Sequence, residues 1–422
     1  MQSGVDIPQE SVRPHWLAPF GVKSFRYQWP SDLATSWAFE METLILGWYI
    51  LVKSDSVVLL GIFGALQYFG AFLSPFFGVV GDRIGYRRML WLTRAVYAAL
   101  AATILVLSWM DTLTPFLVLC IAGVVGMIRP SDMICRYALV AQTQRAEHLM
   151  GALGVSRITS DTARIAGALA GAGSVTYFGM TTAYIVVTLL YVCSFFLALK
   201  VDDHHTPDLQ KVPATPLQDL GVACTYISKK PVLLCSMALA FFANFLAFPL
   251  FLGLLPYVAK NIYFTDQAGL GMLGASFALG GLLASLVLSI NLFKLRASQT
   301  MIVAACSLFV LNLMYSHVHH MYLGMILLVC GGFAQSICLT PLAAVMLRVT
   351  EPAYRGRVMG MRVLAIWGLS LGLFVAGSLI DAHGFVFTAT LYSFIGLVLT
   401  VGMAIIWRKD LWYSNAPANV HI

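Results

Sequence analysis

The stretch Gly78-Val79-Val80-Gly81-Asp82-Arg83-Ile84-Gly85-Tyr86-Arg87-Arg88 is a short basic segment between two long apolar runs. It is charged in a chain of 422 residues of which only 11% are charged and 59% are hydrophobic. A soluble domain carries roughly 25% charged residues, and a soluble chain of this size could not hide so much apolar surface from water. The segment is therefore expected at a membrane surface, and the chain is predicted to be an all-α membrane protein.

The segment 78–88 is one of several polar gaps that separate twelve apolar runs. Each run has about the length of roughly 20 residues that a helix needs to cross a bilayer. Most of the gaps between them are short, as expected for adjacent membrane-spanning helices. The predicted spans are 29–52, 57–81, 89–109, 113–138, 150–176, 179–199, 231–258, 268–293, 298–317, 321–347, 358–381 and 384–407.

One long polar gap, residues 200–230, divides the chain near its midpoint. It predicts a cytosolic linker between an N-terminal six-helix bundle, 29–199, and a C-terminal six-helix bundle, 231–407. The two ends, 1–28 and 408–422, are predicted to be cytosolic tails. A Met-Gly pair recurs after the fourth and tenth spans, which is consistent with two similar halves.

The Lys and Arg residues of the gaps fall almost entirely on one side, with only Lys53 and Lys260 on the other. Because short loops rich in Lys and Arg stay in the cytosol, both termini are predicted to be cytosolic, in a multi-pass protein of the inner (cytoplasmic) membrane. The net charge of +7 is thus explained by orientation, and nucleic acid is not an expected partner.

The segment at 78–88 resembles the signature loop G-x-x-x-D-R-x-G-R/Y-R-R of the major facilitator superfamily, and it follows the second span as it does there. The resemblance implies a secondary transporter with alternating access. The glycines permit close helix approach, Asp82 suits a helix N-terminus, and the arginines can bridge to carboxylates of the other half as a gate. The alternative is that the arginines only anchor the loop in the cytosol. The gating residues are Gly78, Gly81, Asp82, Arg83, Gly85, Arg87 and Arg88.

Within that family, the stretches 40–48, 64–75 and 355–360 are similar to the enterobactin-exporter-like secretion branch. This similarity implies efflux by an antiporter. The Gly-Pro pair that many exporters carry in the fifth span is absent here, although Gly167 and Gly171 keep the spacing for tight helix packing.

Ionisable residues within a membrane span cost several kcal/mol each and are candidate functional residues. In the first span Glu40 and Glu42 point about 160° apart on a helix. One carboxylate is therefore expected in the central cavity and the other against a neighbouring helix, and we favour Glu40 for the cavity. The candidate proton carriers are Glu40, Glu42 and, third, Asp161.

Helix rise gives the depth of the charges in the fourth and fifth spans. Arg129 and Asp161 come out at roughly 15–16 Å from the cytosolic boundary, and Asp132 and Arg157 at roughly 10 Å. The two helices could therefore hold two cross-helix ion pairs, with pairing inside the fifth span as one alternative. As a second alternative, Arg129 and Arg164 meet the substrate or Glu40. The candidate substrate or ion-pair residues are Asp32, Arg129, Asp132, Arg157, Arg164, Asn244 and Gln335.

The function predicted from the sequence is proton-coupled export of an amphipathic small molecule. An importer by proton symport and a non-transporting receptor or scaffold are the alternatives. With no H-E-x-x-H motif and no phosphate-binding P-loop, no enzyme activity, catalytic residue, metal or cofactor is expected. The expected partners are the substrate, protons and the lipid bilayer, and the expected state is a monomer.

Overall fold

The computed structural model describes residues 18–144, 146–202, 216–289, 297–351 and 354–409. Within these ranges all regular structure is helical and no strand occurs, which confirms the all-α prediction. The α-helices are α1 (Lys23–Ser54), α2 (Val57–Phe69), α3 (Ser74–Ile84), α4 (Tyr86–Trp109), α5 (Pro115–Thr143), α6 (Ala146–Ala198), α7 (Pro216–Ser228), α8 (Pro231–Phe242), α9 (Leu255–Tyr257), α10 (Gln267–Ser289), α11 (Ala297–Ser316), α12 (Met321–Val349), α13 (Arg355–Leu364), α14 (Trp367–His383) and α15 (Phe385–Ile406).

Nine helical segments of the described residues are long and apolar enough to cross a membrane. One of them, in α6, is broken at Gly179, whose φ of 81° lies in a region open mainly to glycine. This break confirms the predicted boundary between the fifth and sixth spans. α1 adds a further long helix, as does the run α2–α3 with a 3-10 turn at Gly70–Leu73. The prediction of twelve spans is consistent with this arrangement.

The seventh predicted span differs from a regular α-helix. Beyond α8 the chain forms π-helical turns, at Ala243–Ala247, Pro249–Gly253 and Val258–Ile262. Pro249 and Pro256 lack the N–H that the α-helical ladder requires, which is one reason for wider turns at this point. The helical path also extends to Ile262 rather than ending at 258.

The linker contains a helix, α7, that the sequence analysis did not predict. Tyr226 near its end stacks on Tyr354, with ring centroids 4.2 Å apart. Lys230 Nζ lies 2.9 Å from Glu351 Oε1 and donates to the Tyr226 hydroxyl at 2.6 Å. These contacts fix the end of the linker to the segment between α12 and α13.

We use the term basic side for the side of the molecule where α3 meets α4 and α5 meets α6, and opposite side for the other. Near the opposite side the two halves pack through small residues. A Cβ added to Gly61 in α2 would lie 2.7 Å from the Leu373 carbonyl oxygen of α14. A Cβ on Gly271 in α10 would lie 2.5 Å from Ala172 Cβ of α6. Glycine therefore allows backbone approach between the halves.

Glycines also allow close packing of α6 against α1 within the first half. A Cβ on Gly167 would lie 2.7 Å from Glu40 Cβ, and one on Gly171 would lie 2.8 Å from Met41 Cα. The predicted close packing at these two glycines is confirmed. This packing brings Arg164 of α6 next to Glu40 of α1.

Candidate binding cavity

A cavity of about 140 Å³ lies inside the first half, between the middle of the helices and the basic side. Its wall mixes charged, hydroxyl and aromatic side chains from α1, α4, α5 and α6. The lining residues are Trp29, Asp32, Thr35, Ser36, Phe39, Glu40, Tyr97, Arg129, Asp132, Met133, Arg136, Tyr137, Ser156, Thr159, Ser160 and Arg164.

Two carboxylates of this wall belong to a buried four-residue ion cluster. Arg94 Nη2 lies 2.7 Å from Asp32 Oδ1 and 3.0 Å from Asp132 Oδ1. Arg136 Nε lies 2.8 Å from Asp132 Oδ2 and 3.4 Å from Asp32 Oδ1. Two acids and two arginines thus neutralise each other across α1, α4 and α5. Breaking one such buried pair leaves an uncompensated charge, which is strongly destabilising.

Arg94 is the centre of this cluster and was not among the predicted site residues. Its side chain is completely buried, and Nη1 also donates to the Ser31 carbonyl at 3.2 Å and to Ser194 Oγ at 3.0 Å. Its position inside an apolar run of the sequence could have identified it as a candidate functional residue. Its partners could not be predicted from the sequence, because they come from three other helices.

Of the two predicted cross-helix pairs between the fourth and fifth spans, the one between Arg129 and Asp161 has both side chains described, and it does not form. Asp132 meets Arg94 and Arg136. Arg129 lies against aromatic rings rather than against Asp161, as described below. The physical reason is that α6 packs mainly on α1 and only slightly on α5, so equal depth did not mean contact. The Arg157 side chain lies outside the described residues.

Glu40 and Glu42 point in different directions, as their spacing predicts. Glu40 lines the cavity, and its Oε1 lies 3.5 Å from Arg164 Nε. Both side chains are partly accessible, with 28% of Glu40 and 46% of Arg164 exposed. Glu42 is buried on the other face of α1, where the Tyr191 hydroxyl donates to Oε2 at 2.8 Å. Glu40 is thus the carboxylate of this pair that borders the cavity.

Arg129 has an unusual environment for a cation. Its guanidinium carbon lies 3.8 Å from the centroid of the Phe39 ring and 4.6 Å from that of Tyr68. Nη1 is buried and makes no hydrogen bond. Within the described part of the chain no carboxylate lies within ion-pair distance of Arg129. Its positive charge is therefore stabilised by aromatic faces.

A second cavity, of about 390 Å³, lies between the two halves, from the middle of the helices toward the basic side. Arg164 borders both cavities, and predicted residues Asp161 and Gln335 line the second one. Asn244 lines neither, because it is buried and its amide donates to the Ala240 carbonyl at 2.8 Å. The wall residues are Asp161, Arg164, Phe277, Ala278, Gly281, Ser285, Leu288, Gln335, Ser336, Leu339, Thr340, Ala343 and Arg362.

The basic segment at 78–88 forms the connection from α3 to α4. Gly85 has φ 89°, and a Cβ on Gly81 would overlap the Tyr86 ring, so both positions require glycine. Arg87 donates to the Leu199 carbonyl at 2.8 Å. In the described ranges, Arg83, Arg87 and Arg88 form no ion pair with the second half. The surroundings of Gly78 and of the Asp82 side chain are outside the part of the structure that is described.

The opposite side carries an ion pair between the halves that the sequence did not reveal. Lys260 Nζ lies 2.6 Å from Asp55 Oδ1 and 3.4 Å from the Leu51 carbonyl oxygen. The hydrogen bond and positive charge of Lys260 lower the pKa of the Asp55 carboxyl. The pair joins the end of α1 to the last π-helical turn of the second half, and so links the halves on this side.

One pattern in the second half coincides with a hydrolase motif. Gly368-Leu369-Ser370-Leu371-Gly372 fits G-x-S-x-G, but all five residues lie inside α14 rather than on a strand-to-helix turn. A Cβ on Gly368 would lie 3.0 Å from the Phe241 carbonyl oxygen. These glycines serve helix packing and do not expose a nucleophile.

Residues 33–317 match the family model described as Major Facilitator Superfamily. No curated protein matches the sequence. The fold is similar to that of the nucleoside transporter NupG in a substituted form, with TM-score 0.67 and 13% identity, covering 92% of this chain and 99% of that one. It is also similar to a bacterial homolog of the human lysosomal transporter Spinster, in an inward-facing and unoccupied conformation, with TM-score 0.66 and 12% identity, covering 93% and 99%.

A second NupG structure has TM-score 0.64 and 14% identity, covering 91% of this chain and 99% of that one. Identities this low establish the shared fold and leave substrate open. The family match is independent of that comparison and spans well over half of the chain. The chain therefore belongs to the major facilitator superfamily.

Proposed function

We propose that the protein is a secondary active transporter that works by alternating access and exports an amphipathic small molecule in exchange for protons. The observation that carries this proposal is the ion pair between Glu40 and Arg164. Its two side chains are partly exposed, lie 3.5 Å apart, and sit on a cavity wall inside the membrane region.

The placement of this pair suits a coupling site. A carboxylate that water can reach can gain or lose a proton, and protonation removes the charge that holds Arg164. Because Arg164 borders both cavities, a change at Glu40 is transmitted to the interface between the halves. Glu42 is less suited, since it is buried and hydrogen-bonded to Tyr191. Asp161, on the wall of the second cavity, is the third candidate.

We further infer that the basic side faces the cytosol, that the protein lies in the inner membrane with both termini cytosolic, and that it acts as a monomer. The one-sided distribution of Lys and Arg in the gaps supports this orientation. Both cavities lie toward the basic side, whereas Asp55 and Lys260 join the halves on the opposite side. This arrangement corresponds to an inward-facing state of bundles 29–199 and 231–407 joined by the linker 200–230.

The proposed direction, export, rests on the similarity of segments 40–48, 64–75 and 355–360 to the enterobactin-exporter-like branch. The similar fold of a nucleoside transporter makes nucleosides a necessary part of any substrate screen. Thermal-shift measurements on the purified protein with siderophores, antibiotics and nucleosides, at two pH values, would provide candidate substrates, because a ligand that binds the folded state raises its stability.

A transport assay then tests proton coupling. Each candidate substrate is followed in proteoliposomes of known orientation under an imposed pH gradient, for the wild type, Glu40→Gln and Glu42→Gln. We expect Glu40→Gln to lose gradient-driven transport while Glu42→Gln, the matched control on the same helix, retains it. Normal gradient-driven transport by Glu40→Gln refutes the assigned carrier, and normal transport by both variants refutes a proton carrier at either of these two glutamates.

A further inference from the structure

We propose that Arg129 is the docking point for an acidic group of the substrate, and that the substrate class is a small organic acid with an aromatic or apolar body. The inference rests on the proposed transport function, because it assigns the substrate of the same cavity. It is carried by the position of Arg129, by its lack of a carboxylate partner among the described residues, and by the surfaces around it.

Arg129 sits at the centre of its helix. It lies 14 residues from Pro115 and 14 residues from Thr143, the two ends of α5. At 1.5 Å per residue this is about 21 Å from either end. Transporter substrates bind near the membrane midplane, which is the depth of Arg129. An arginine at this depth is costly and cannot lose its proton, so it requires an anion or an equivalent compensation.

The other charges of the cavity wall already have partners. Asp32 and Asp132 are held by Arg94 and Arg136 at 2.7–3.4 Å, and Glu40 is held by Arg164. Arg129 contacts rings instead, and its buried Nη1 makes no hydrogen bond. A bound carboxylate would accept hydrogen bonds from this guanidinium and balance its charge, and such charge-assisted bonds are among the strongest in proteins.

The surroundings of Arg129 suit an aromatic or apolar body attached to that acid. The cavity wall includes the rings of Trp29, Phe39, Tyr97 and Tyr137, together with several hydroxyl groups. The second cavity, which shares Arg164 with the first, adds about 390 Å³ of room. Spaces of a few hundred Å³ lined by apolar groups and a few polar anchors are typical of sites for small organic ligands.

The test compares ligands that differ only in charge. Binding of benzoate and indole-3-acetate, and of their neutral amides benzamide and indole-3-acetamide, is measured by equilibrium dialysis with the purified full-length protein. For the wild type we expect the carboxylates to bind about tenfold or more tightly than the amides, as for hydrogen bonds to a charged group. Equal binding of acids and amides, or no measurable binding of either acid, overturns the proposal.

Variants then locate the selectivity. Arg129→Gln should bind acids and amides with equal affinity, and Arg129→Lys should keep part of the preference for acids. The control Lys53→Gln removes an exposed charge at the far end of α1 and should behave as wild type. Unchanged selectivity in Arg129→Gln overturns the assignment to Arg129. Because no gradient is used, failure here leaves proton-coupled transport intact. Acids that bind through Arg129 but are not moved in proteoliposomes would refute the transport proposal instead.

Discussion

The buried cluster around Arg94 gives the sharpest stability prediction. The substitution Arg94→Met keeps the unbranched stem of the side chain and removes the charged guanidinium group. Asp32 and Asp132 lose their partner at 2.7 and 3.0 Å, and the bonds to Ser31 and Ser194 are lost as well. Arg136 remains within 3.4 Å of Asp32 and 2.8 Å of Asp132, so two carboxylates then share one guanidinium.

One negative charge is left uncompensated on two carboxylates that are almost completely buried. Breaking a buried ion pair by removing one partner costs about 3–5 kcal/mol, and we expect Arg94→Met to lose stability in that range. The assay is thermal unfolding of the detergent-purified protein. Arg88→Met, an exposed arginine on the same helix, is the matched control and should change stability by no more than about 0.5 kcal/mol.

A second substitution separates lost charge balance from lost packing. Adding Asp132→Asn to Arg94→Met removes the uncompensated carboxylate, so the double variant should be more stable than Arg94→Met alone, with a coupling of about 1–3 kcal/mol. If Arg94→Met is as stable as Arg88→Met, or if Asp132→Asn only adds further destabilisation, the cluster does not hold the first half together as described.

Two further predictions concern the opposite side. Gly61→Leu should destabilise the protein and block transport, because its Cβ alone would lie 2.7 Å from the Leu373 carbonyl oxygen. Gly173→Leu in α6 should be tolerated, because no atom lies within 4 Å of a Cβ at that position. Thermal unfolding and transport of both variants test this difference. Lys260 lowers the pKa of Asp55, so the stabilisation from this pair is present above the ordinary Asp pKa of about 3.9 and is lost as the pH falls through the lowered value. The difference in unfolding temperature between wild type and Lys260→Gln should therefore shrink in acid, and a difference that stays constant down to pH 2 would contradict it.

Much of the architecture followed from the sequence because membrane spans depend on local composition. Apolar runs were enough to place most of the helices, and the predicted boundary between the spans 150–176 and 179–199 coincides with the break in α6 at Gly179. The angular separation of Glu40 and Glu42 on one helix was also predictable, since it depends only on 100° per residue. These features are set by residues near each other in the chain.

The pairing of charges was not predictable in the same way. Depth along a helix gives the height of Asp132 but does not show which helix lies beside it. In the structure α6 packs much more on α1 than on α5. Arg94 meets Asp32 across 62 positions in sequence, and Lys260 meets Asp55 across 205. Such contacts depend on how whole helices pack, which no local pattern in one sequence records.

In the proposed transport cycle the two halves must separate on the opposite side, where Asp55 and Lys260 now hold them together. The most direct measurement is transport by the double variant Asp55→Cys/Lys260→Cys in proteoliposomes, before and after cross-linking with a short bismaleimide. Each single cysteine variant, treated in the same way, is the control. We predict that the cross-link abolishes transport and that the single variants remain active. Transport at the normal rate by the cross-linked protein would contradict the account.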